Sequence, residues 1–542
     1  AQSELFATLY TDIWDNGENG TPVNDDNYYA LYLYQLVTRY GDYVRFWEIW
    51  NEPGFDYTGA LGWFPRGAPG NWWDNAPPPC DYKLRAPIQH FVRLLRISYD
   101  IIKTLDPEAY VTLSGIGYPS FLDAVLRNTD NPIDGSPSPA YPLGGGAYFD
   151  VLGFHSYPHF DGSVKAWSDS LNGFLYTRHS DDAAAGLSKQ KDIFQDVLHD
   201  YGYDGLQYPA KEWIVTECNI PRKTFGDFIG SELAQRNFVM KAYVESVLSD
   251  ILQLHLYRLG EEGTWDEALG EFELMGLYQR LETTDVYHPE PVEAAIAYKT
   301  TSDLLFGQTY DPVRTADLQL PPSTKGAAYY DTEGRYTYVL WAMTTVDRSE
   351  AAAALYQLPD PLNRGHYWLR HWDFSRSQAH ELSDGQAIAL DATPLFLSET
   401  IFDTDRIAAC TGQSITLRAF DWPGVDHWEW RMPKAQPSSA VGTMVNIQFD
   451  RAGEGEVVLE GRAANGAVLI RQGTSLTIES APTADFEAQL SGPILRLHET
   501  ASTNAQQYHW DFGDGQTSTA PNPQRVYPTS GYYPVSLTVS NS

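Results

Sequence analysis

Two glutamates close short apolar runs in the same manner. One ends Val44-Arg-Phe-Trp-Glu-Ile-Trp-Asn-Glu52 just before Pro53, and the other ends Glu212-Trp-Ile-Val-Thr-Glu217. Val44, Phe46, Trp47, Ile49 and Trp50 are strand formers, and Pro53 stops ladder pairing where the backbone leaves a sheet. A carboxyl group just past a buried strand sits where parallel α/β barrels keep their chemistry. Apolar walls there disfavour the ionised form and predict a raised pKa for Glu52, which suits a proton donor working near neutral pH. The same pattern also fits a strand-end glutamate that caps a helix or pairs with an arginine. Glu217 lies 165 positions after Glu52. That leaves room for three strand-plus-helix units of about 40 to 55 residues each.

The surrounding chain supplies such units. Residues 5–10 read as a buried strand, and residues 25–39 as a helix with Tyr29, Leu33, Leu36 and Val37 on one face. A long loop, 54–85, carries Trp63, Trp72, Trp73 and Pro77-Pro-Pro79. Loops of this length inside a domain are usually functional, so the tryptophans either wall a binding site or fasten the loop to the rim. A helix over 86–105 stops before Asp106-Pro107, and a strand follows over 110–115. After a Gly/Pro-rich stretch, 131–146, residues 149–158 read as a strand with His155 and Tyr157 at its outer end. His155 is either a site residue or a histidine satisfied by backbone groups. Helices over 181–201, 231–249 and 291–306 alternate with strands over 212–217 and 250–257, and His255 and Tyr257 close the last strand as candidate pocket residues.

The stretch Trp50-Asn-Glu-Pro53, preceded by a helix and Arg39-Tyr-Gly41, resembles the fourth-strand signature of the clan A retaining glycoside hydrolases, most closely family 39. The resemblance implies a (β/α)8 TIM-type barrel over residues 1–307, with Glu52 as acid/base, Asn51 on the sugar's 2-hydroxyl and Glu217 as nucleophile at the end of strand seven. It further implies that His155 and Tyr157 border the site, that the two carboxyl groups stand ~5 to 5.5 Å apart, and that no cofactor or metal is needed. With the Glu52 strand as strand four, only one strand precedes it. The expectation is therefore a barrel whose first two strands are absent, cut off or supplied by a second chain that completes it. In the same family a small β-sandwich accompanies the barrel, and the alternating runs at 335–343 and 366–372 place it at 308–399. Tyr508-His-Trp-Asp-Phe-Gly-Asp-Gly515 and the alternating segment to Val539 resemble the polycystic kidney disease (PKD) type of immunoglobulin-like β-sandwich, at 481–542. Residues 400–480, with Trp428-Glu-Trp430, look like a degenerate copy. Asp511 and Asp514 are read as fixing a turn rather than binding metal.

Bulk composition narrows the partners. The 542 residues carry a formal charge of −34 and 14% aromatics. Such acidity repels phosphates and argues against nucleic acid or an anionic membrane surface, and aromatics this abundant argue against disorder. Aromatic richness in an acidic chain fits a carbohydrate partner. Three cysteines, Cys80, Cys218 and Cys410, match no zinc or redox spacing. Cys80 and Cys218 either meet at the barrel mouth or are buried thiols. No apolar run reaches the length of a membrane span. The chain opens on Ala1 rather than Met. That reads as processing, consistent with a secreted or cell-surface protein. The alternative to an enzyme is a cell-surface or filament protein that keeps a glycosidase-like barrel as a non-catalytic, sugar-binding scaffold.

Overall fold

Five apolar runs pair side by side, all parallel and in chain order: β1 (Phe46–Ile49), β2 (Tyr110–Ile116), β3 (Val151–Ser156), β4 (Glu212–Cys218) and β5 (Gln253–Leu256). The computed structural model describes residues 8–58, 61–74, 82–279, 281, 289–359, 362, 366–374, 380–381, 387–500, 502–503 and 505–540. Parallel neighbours need a crossover, and each crossover here contains a helix. After α1 (Tyr28–Tyr40) leads into β1, α2 (Ile88–Leu105), α3 (Pro119–Arg127), α4 (Ser180–Asp200) and α5 (Glu232–Leu248) join the strands, and α6 (Glu293–Leu305) follows β5. Helix α2 buries Phe91, Leu94, Leu95, Ile101 and Ile102 at spacings of three and four, the stripe that packs on the sheet. Ser231 caps α5 by accepting from the Ala234 amide at 3.0 Å. Helix α3 lies between the strand over 110–115 and the Gly/Pro-rich stretch 131–146, in a segment to which the sequence reading gives no element. Pro119 is pre-set for a first helical turn, and Phe121, Leu122, Val125 and Leu126 recur at helical spacing.

Two expectations are corrected at the start of the chain. The sheet has five parallel strands among the described residues rather than the six this chain is expected to supply: β1 pairs only with β2, and β5 only with β4. Of the strand expected over residues 5–10, the first three lie outside the described residues, and Thr8–Tyr10 is a single 3-10 turn. The reason is visible in its hydrogen bonds. Arg93 donates to the carbonyls of Leu9 (2.7 Å) and Thr11 (3.1 Å), and Asn27 also donates to Thr11 (3.2 Å). Helix side chains take acceptors that a neighbouring strand would otherwise use.

Beyond α6 the chain is β-rich. An antiparallel six-stranded sheet, with Thr324–Tyr330, Tyr336–Ala342 and Leu395–Thr400 at its centre, buries Tyr338, Leu340, Tyr367 and Leu397 on one side. Its other side, through Trp341 and Phe396, packs on Met240 and Val244 of α5. A further core gathers Trp428, Trp430 and Leu459, and a last one Leu497, Trp510 and Phe512. In this last unit Asp514 accepts from the Gln516 amide (3.1 Å) and pairs with Arg525 (2.7 Å), and Asp511 accepts from the Gly513 amide (2.9 Å), so both acids fix the turn. No helix among the described residues is long and apolar enough to cross a membrane.

Candidate active site

The site forms at the carboxyl ends of β1, β3 and β4. Strand β1 stops at Ile49, and the next three residues turn sharply: Trp50 (φ 77°) and Glu52 (φ 49°) both adopt left-handed backbone conformations. Non-glycine residues rarely accept this conformation, and its occurrence twice in three residues marks a backbone held by its surroundings. Much of that hold comes from the following loop. The amides of Leu84 and Lys83 donate to the carbonyls of Pro53 (2.9 Å) and Phe55 (2.8 Å), and the indole of Trp72 donates to Gly54 (3.2 Å). A Cβ on Gly54 would stand 2.5 Å from the Phe121 ring, so only glycine lets the loop lie this close to α3.

Strands β3 and β4 run in simple register from Leu152 opposite Trp213 to Phe154 opposite Val215, after which His155 pairs with Glu217. Thr216 is skipped. This bulge re-aims Glu217 toward the side from which His155 projects. The His155 Nδ1 lies 2.9 Å from Glu52 Oε1 and 3.5 Å from Glu217 Oε2. Both oxygens belong to carboxylates, so Nδ1 carries a proton and donates it, principally to Glu52. The Tyr157 hydroxyl donates to Glu217 Oε2 at 2.7 Å. Lys83 Nζ stands 3.5 Å from Glu52 Oε2. One carboxyl oxygen of Glu52, one of Glu217 and a His155 ring nitrogen all lie within 4.8 Å of one another.

These contacts set the charges. Burial acts to raise the Glu52 pKa, but the His155 hydrogen bond and charge and the Lys83 ammonium outweigh it and hold the carboxyl below its ordinary value. The expected upward shift is thus corrected: the walls are apolar, but the contacts with His155 and Lys83 outweigh them. Burial, then the Glu217 carboxylate, pushes the Tyr157 hydroxyl far upward, so it stays a neutral donor.

Asn51, Glu52, His155, Tyr157 and Glu217 line a cleft of about 580 Å³, with Trp63 and Tyr257 among its walls. That is the size of an ordinary ligand pocket. Phe55, Tyr57 and Tyr118 join Trp63 along one wall, and Phe160 and Phe272 join Tyr257 along the other. Phe160 and Phe272 stack at 5.8 Å and 15°.

Three of the expected pocket residues lie elsewhere. Trp72 is buried against Tyr82 and Phe121, where it anchors the loop. Trp73 donates from its indole to the Phe64 carbonyl and lies under Arg66, 5.0 Å from the ring centroid. His255 is exposed, with Nε2 3.2 Å from Gln253 Oε1. Alternation along β5 leaves its face open in the sequence, and the structure settles it. Cys80 lies outside the described residues; Cys218 is a buried thiol directed at the His255 carbonyl (3.7 Å), which burial pushes to high pKa. The sequence reading missed Phe55, Tyr57, Tyr118, Phe160, Asp161, Phe272 and Lys83. Tyr118 follows the end of β2 by two residues, and Phe160 and Asp161 follow β3 by four and five, so the strand-end rule could have found them. Phe272 lies in a 3-10 turn after β5, and no periodicity marks it.

Comparison with known proteins adds the following. The PKD domain family matches residues 480–542. The pre-pro-metalloprotease PrtV of Vibrio cholerae serotype O1 is 38% identical over 76 residues in the PKD region, which is 14% of this chain. The match spans 8% of PrtV's length. Among solved structures, the GH51 α-L-arabinofuranosidase of Thermotoga petrophila RKU-1 is similar with 13% identity and a TM-score of 0.38, covering 70% of this chain and 74% of that one. A GH44 xyloglucanase of Paenibacillus polymyxa shows 12% identity and a TM-score of 0.36, covering 68% and 70%. Likeness at these scores does not carry function, which has to be argued from the cleft itself.

Proposed function

We propose that the chain is a retaining glycoside hydrolase acting outside the cell on a polysaccharide or glycoconjugate, with a barrel at 1–307, an accessory sandwich at 308–399, a degenerate PKD-like module at 400–480 and a PKD module at 481–542. The observation that carries the reading is the approach of Glu52 and Glu217 carboxyl oxygens to within 4.8 Å at one aromatic-walled cleft. Retaining enzymes hold their two carboxyl groups ~5 to 5.5 Å apart, whereas inverting enzymes need ~6.5 to 9.5 Å to admit a water.

In the first step Glu217 attacks the anomeric carbon, the glycosidic C–O bond breaks, and the departing oxygen takes the proton of Glu52. A sugar filling the cleft displaces water and opposes the cationic hold on Glu52, which moves its pKa upward toward the acid's task. In the second step the Glu52 carboxylate removes a proton from water, whose oxygen attacks the same carbon and frees Glu217. Tyr157 and His155 hold the carboxyl groups in place, and Asn51 reaches the 2-hydroxyl, as the family resemblance implies. No cofactor enters this scheme.

Glu52, His155 and Glu217 are also a donor set of the kind that holds a divalent cation. Two contacts disfavour that use: the Lys83 ammonium addresses Glu52 Oε2, and the Tyr157 hydroxyl already donates to the Glu217 oxygen that faces His155. Hydrolysis of a panel of aryl glycosides, with and without a chelator, tests the whole reading. Turnover that survives the chelator and falls by orders of magnitude in Glu217→Gln is the expected result. Absent turnover in the unmodified protein, or equal turnover in both, would leave the non-catalytic surface or filament protein as the better account.

A further inference from the structure

Between β3 and α4 the chain throws out a hairpin, Lys165–Ser168 paired antiparallel with Gly173–Tyr176. Among the described residues no third strand joins it. In the register Lys165 opposes Tyr176 and Trp167 opposes Phe174, so these four side chains share one face. Trp167 and Phe174 meet at 5.2 Å, and Phe174 and Tyr176 at 6.3 Å. Yet Trp167 stays 53% and Phe174 48% exposed. Two-stranded hairpins are marginal on their own, and a contiguous exposed apolar surface on a folded chain marks a contact.

The base of the hairpin is anchored. The Thr177 amide donates to the Val164 carbonyl at 2.9 Å. Arg178 lies 4.1 Å from the centroid of the Tyr176 ring and forks onto Asp347 of the sandwich at 3.0 and 2.6 Å. The same guanidinium donates to the Asp227 carbonyl at 3.0 Å. The next residue, Phe228, meets Phe160, a wall of the cleft, edge-on at 5.2 Å. Arg178 and Asp227 thus link the Tyr176 end of the hairpin to the Phe228–Phe160 pair at the cleft wall, and four residues per strand make the ribbon about 10 to 14 Å long.

We propose that the Trp167/Phe174 face is a distal binding platform for a neutral polysaccharide, taking sugar residues several units beyond the bond in the cleft. Flat rings match the apolar C–H faces of pyranoses. The polar partner at this face is Asp169, which accepts from the Trp167 indole at 2.9 Å. The chain's charge of −34 repels acidic polymers and leaves neutral ones. The proposal rests on the glycosidase reading for its substrate class and makes that substrate a long chain rather than a disaccharide.

Affinity electrophoresis through gels containing xyloglucan, arabinoxylan, mixed-linkage β-glucan or galactomannan tests it. The full chain carrying Glu217→Gln is compared with the same chain also carrying Trp167→Ala and Phe174→Ala. The expected result is retardation by at least one polymer, weakened tenfold or more by the double substitution and largely kept by Trp167→Tyr, with the melting temperature unchanged. Equal retardation of both proteins, or retardation by none of the polymers, overturns the platform. So does a concentration-dependent dimer, seen by sedimentation, that the double substitution abolishes, because the face would then belong to a second copy. Aryl glycoside hydrolysis by the unsubstituted protein is scored separately. Its absence sinks the hydrolase reading while retardation still decides the platform.

Discussion

Gly115 and His155 are packed so closely that a Cβ on residue 115 would stand 2.0 Å from His155 Nε2 and 2.7 Å from Thr216 Oγ1. The imidazole is only 5% exposed, so it cannot swing away without leaving the two glutamates. Strand β2 thus contributes to the site by omission: a missing methyl group sets where the ring between the two carboxylates sits. Gly115→Ala is expected to lower kcat on an aryl glycoside by roughly 10²-fold, because displacements of about 1 Å cost that much in pre-organised sites. Some stability is lost as well. Activity within twofold of the parent would show that the ring's placement is unimportant.

Tyr157 carries a second prediction. Its hydroxyl donates to Glu217 Oε2 at 2.7 Å, while its ring is held edge-on by Phe272 at 5.1 Å and Tyr257 at 6.2 Å. Tyr157→Phe keeps the ring and removes the donor. A hydrogen bond to a charged group is worth about 1.5 to 3 kcal/mol, so kcat should fall on the order of 10- to 100-fold with KM little changed. A change confined to KM would assign Tyr157 to substrate binding instead.

The success and failure of the sequence reading divide along physical lines. Glu52, Glu217, His155 and Tyr157 were legible because each follows or ends a short apolar run, and strand ends deliver side chains to one rim. Five of the helices were legible from stripes such as that of α2. Trp72 and Trp73 misled because an indole in a long loop serves equally as wall or anchor, and only the positions of Gly54 and Phe64 decide between them. The Glu52 pKa was misjudged because His155, 103 residues away along the chain, and then Lys83, 31 away, come near only through the fold. Gly115 could not be singled out, since its role depends on His155 in the next strand of the sheet, a whole crossover away along the chain.

Lys83 makes the Glu52 shift testable. A depressed carboxylate is protonated only below its lowered pKa, so the acid form needed for the first step is lost early as pH rises. For stability the sign is opposite: the paired carboxylate stabilises the fold above its unfolded pKa, and that contribution disappears as pH falls through the folded value. Lys83→Met removes one of the lowering charges. The alkaline limb of the kcat/KM profile should then move to higher pH, by no more than about one unit, because the pair is partly exposed and surface pairs are worth about 0 to 1 kcal/mol. The acid-side loss of stability should shrink in parallel. A limb that moves to lower pH, or stays fixed, would remove Lys83 from the control of Glu52.

Lys241 tests how the parallel α/β sheet and the six-stranded antiparallel sheet are joined. Its ammonium, fully buried on α5, meets Asp181 Oδ2 and Ser180 Oγ, both at 2.8 Å. Burial lowers its pKa, and the Asp181 charge opposes that. Asp181 also accepts from the Trp341 indole (2.7 Å) of the antiparallel sheet and the Thr344 amide (2.9 Å) just past it, so one carboxylate is shared by the two units. Replacing Lys241 with Met strands that carboxylate in a buried position, which costs about 3 to 5 kcal/mol. Because the damage falls on the shared group, the two units should lose stability together, seen in urea as one transition displaced to lower concentration for both α-helical and β-sheet signals. Two separate transitions, with only one displaced, would mean that Asp181 serves its own unit and the antiparallel sheet stands by its apolar contact with Met240 and Val244 alone.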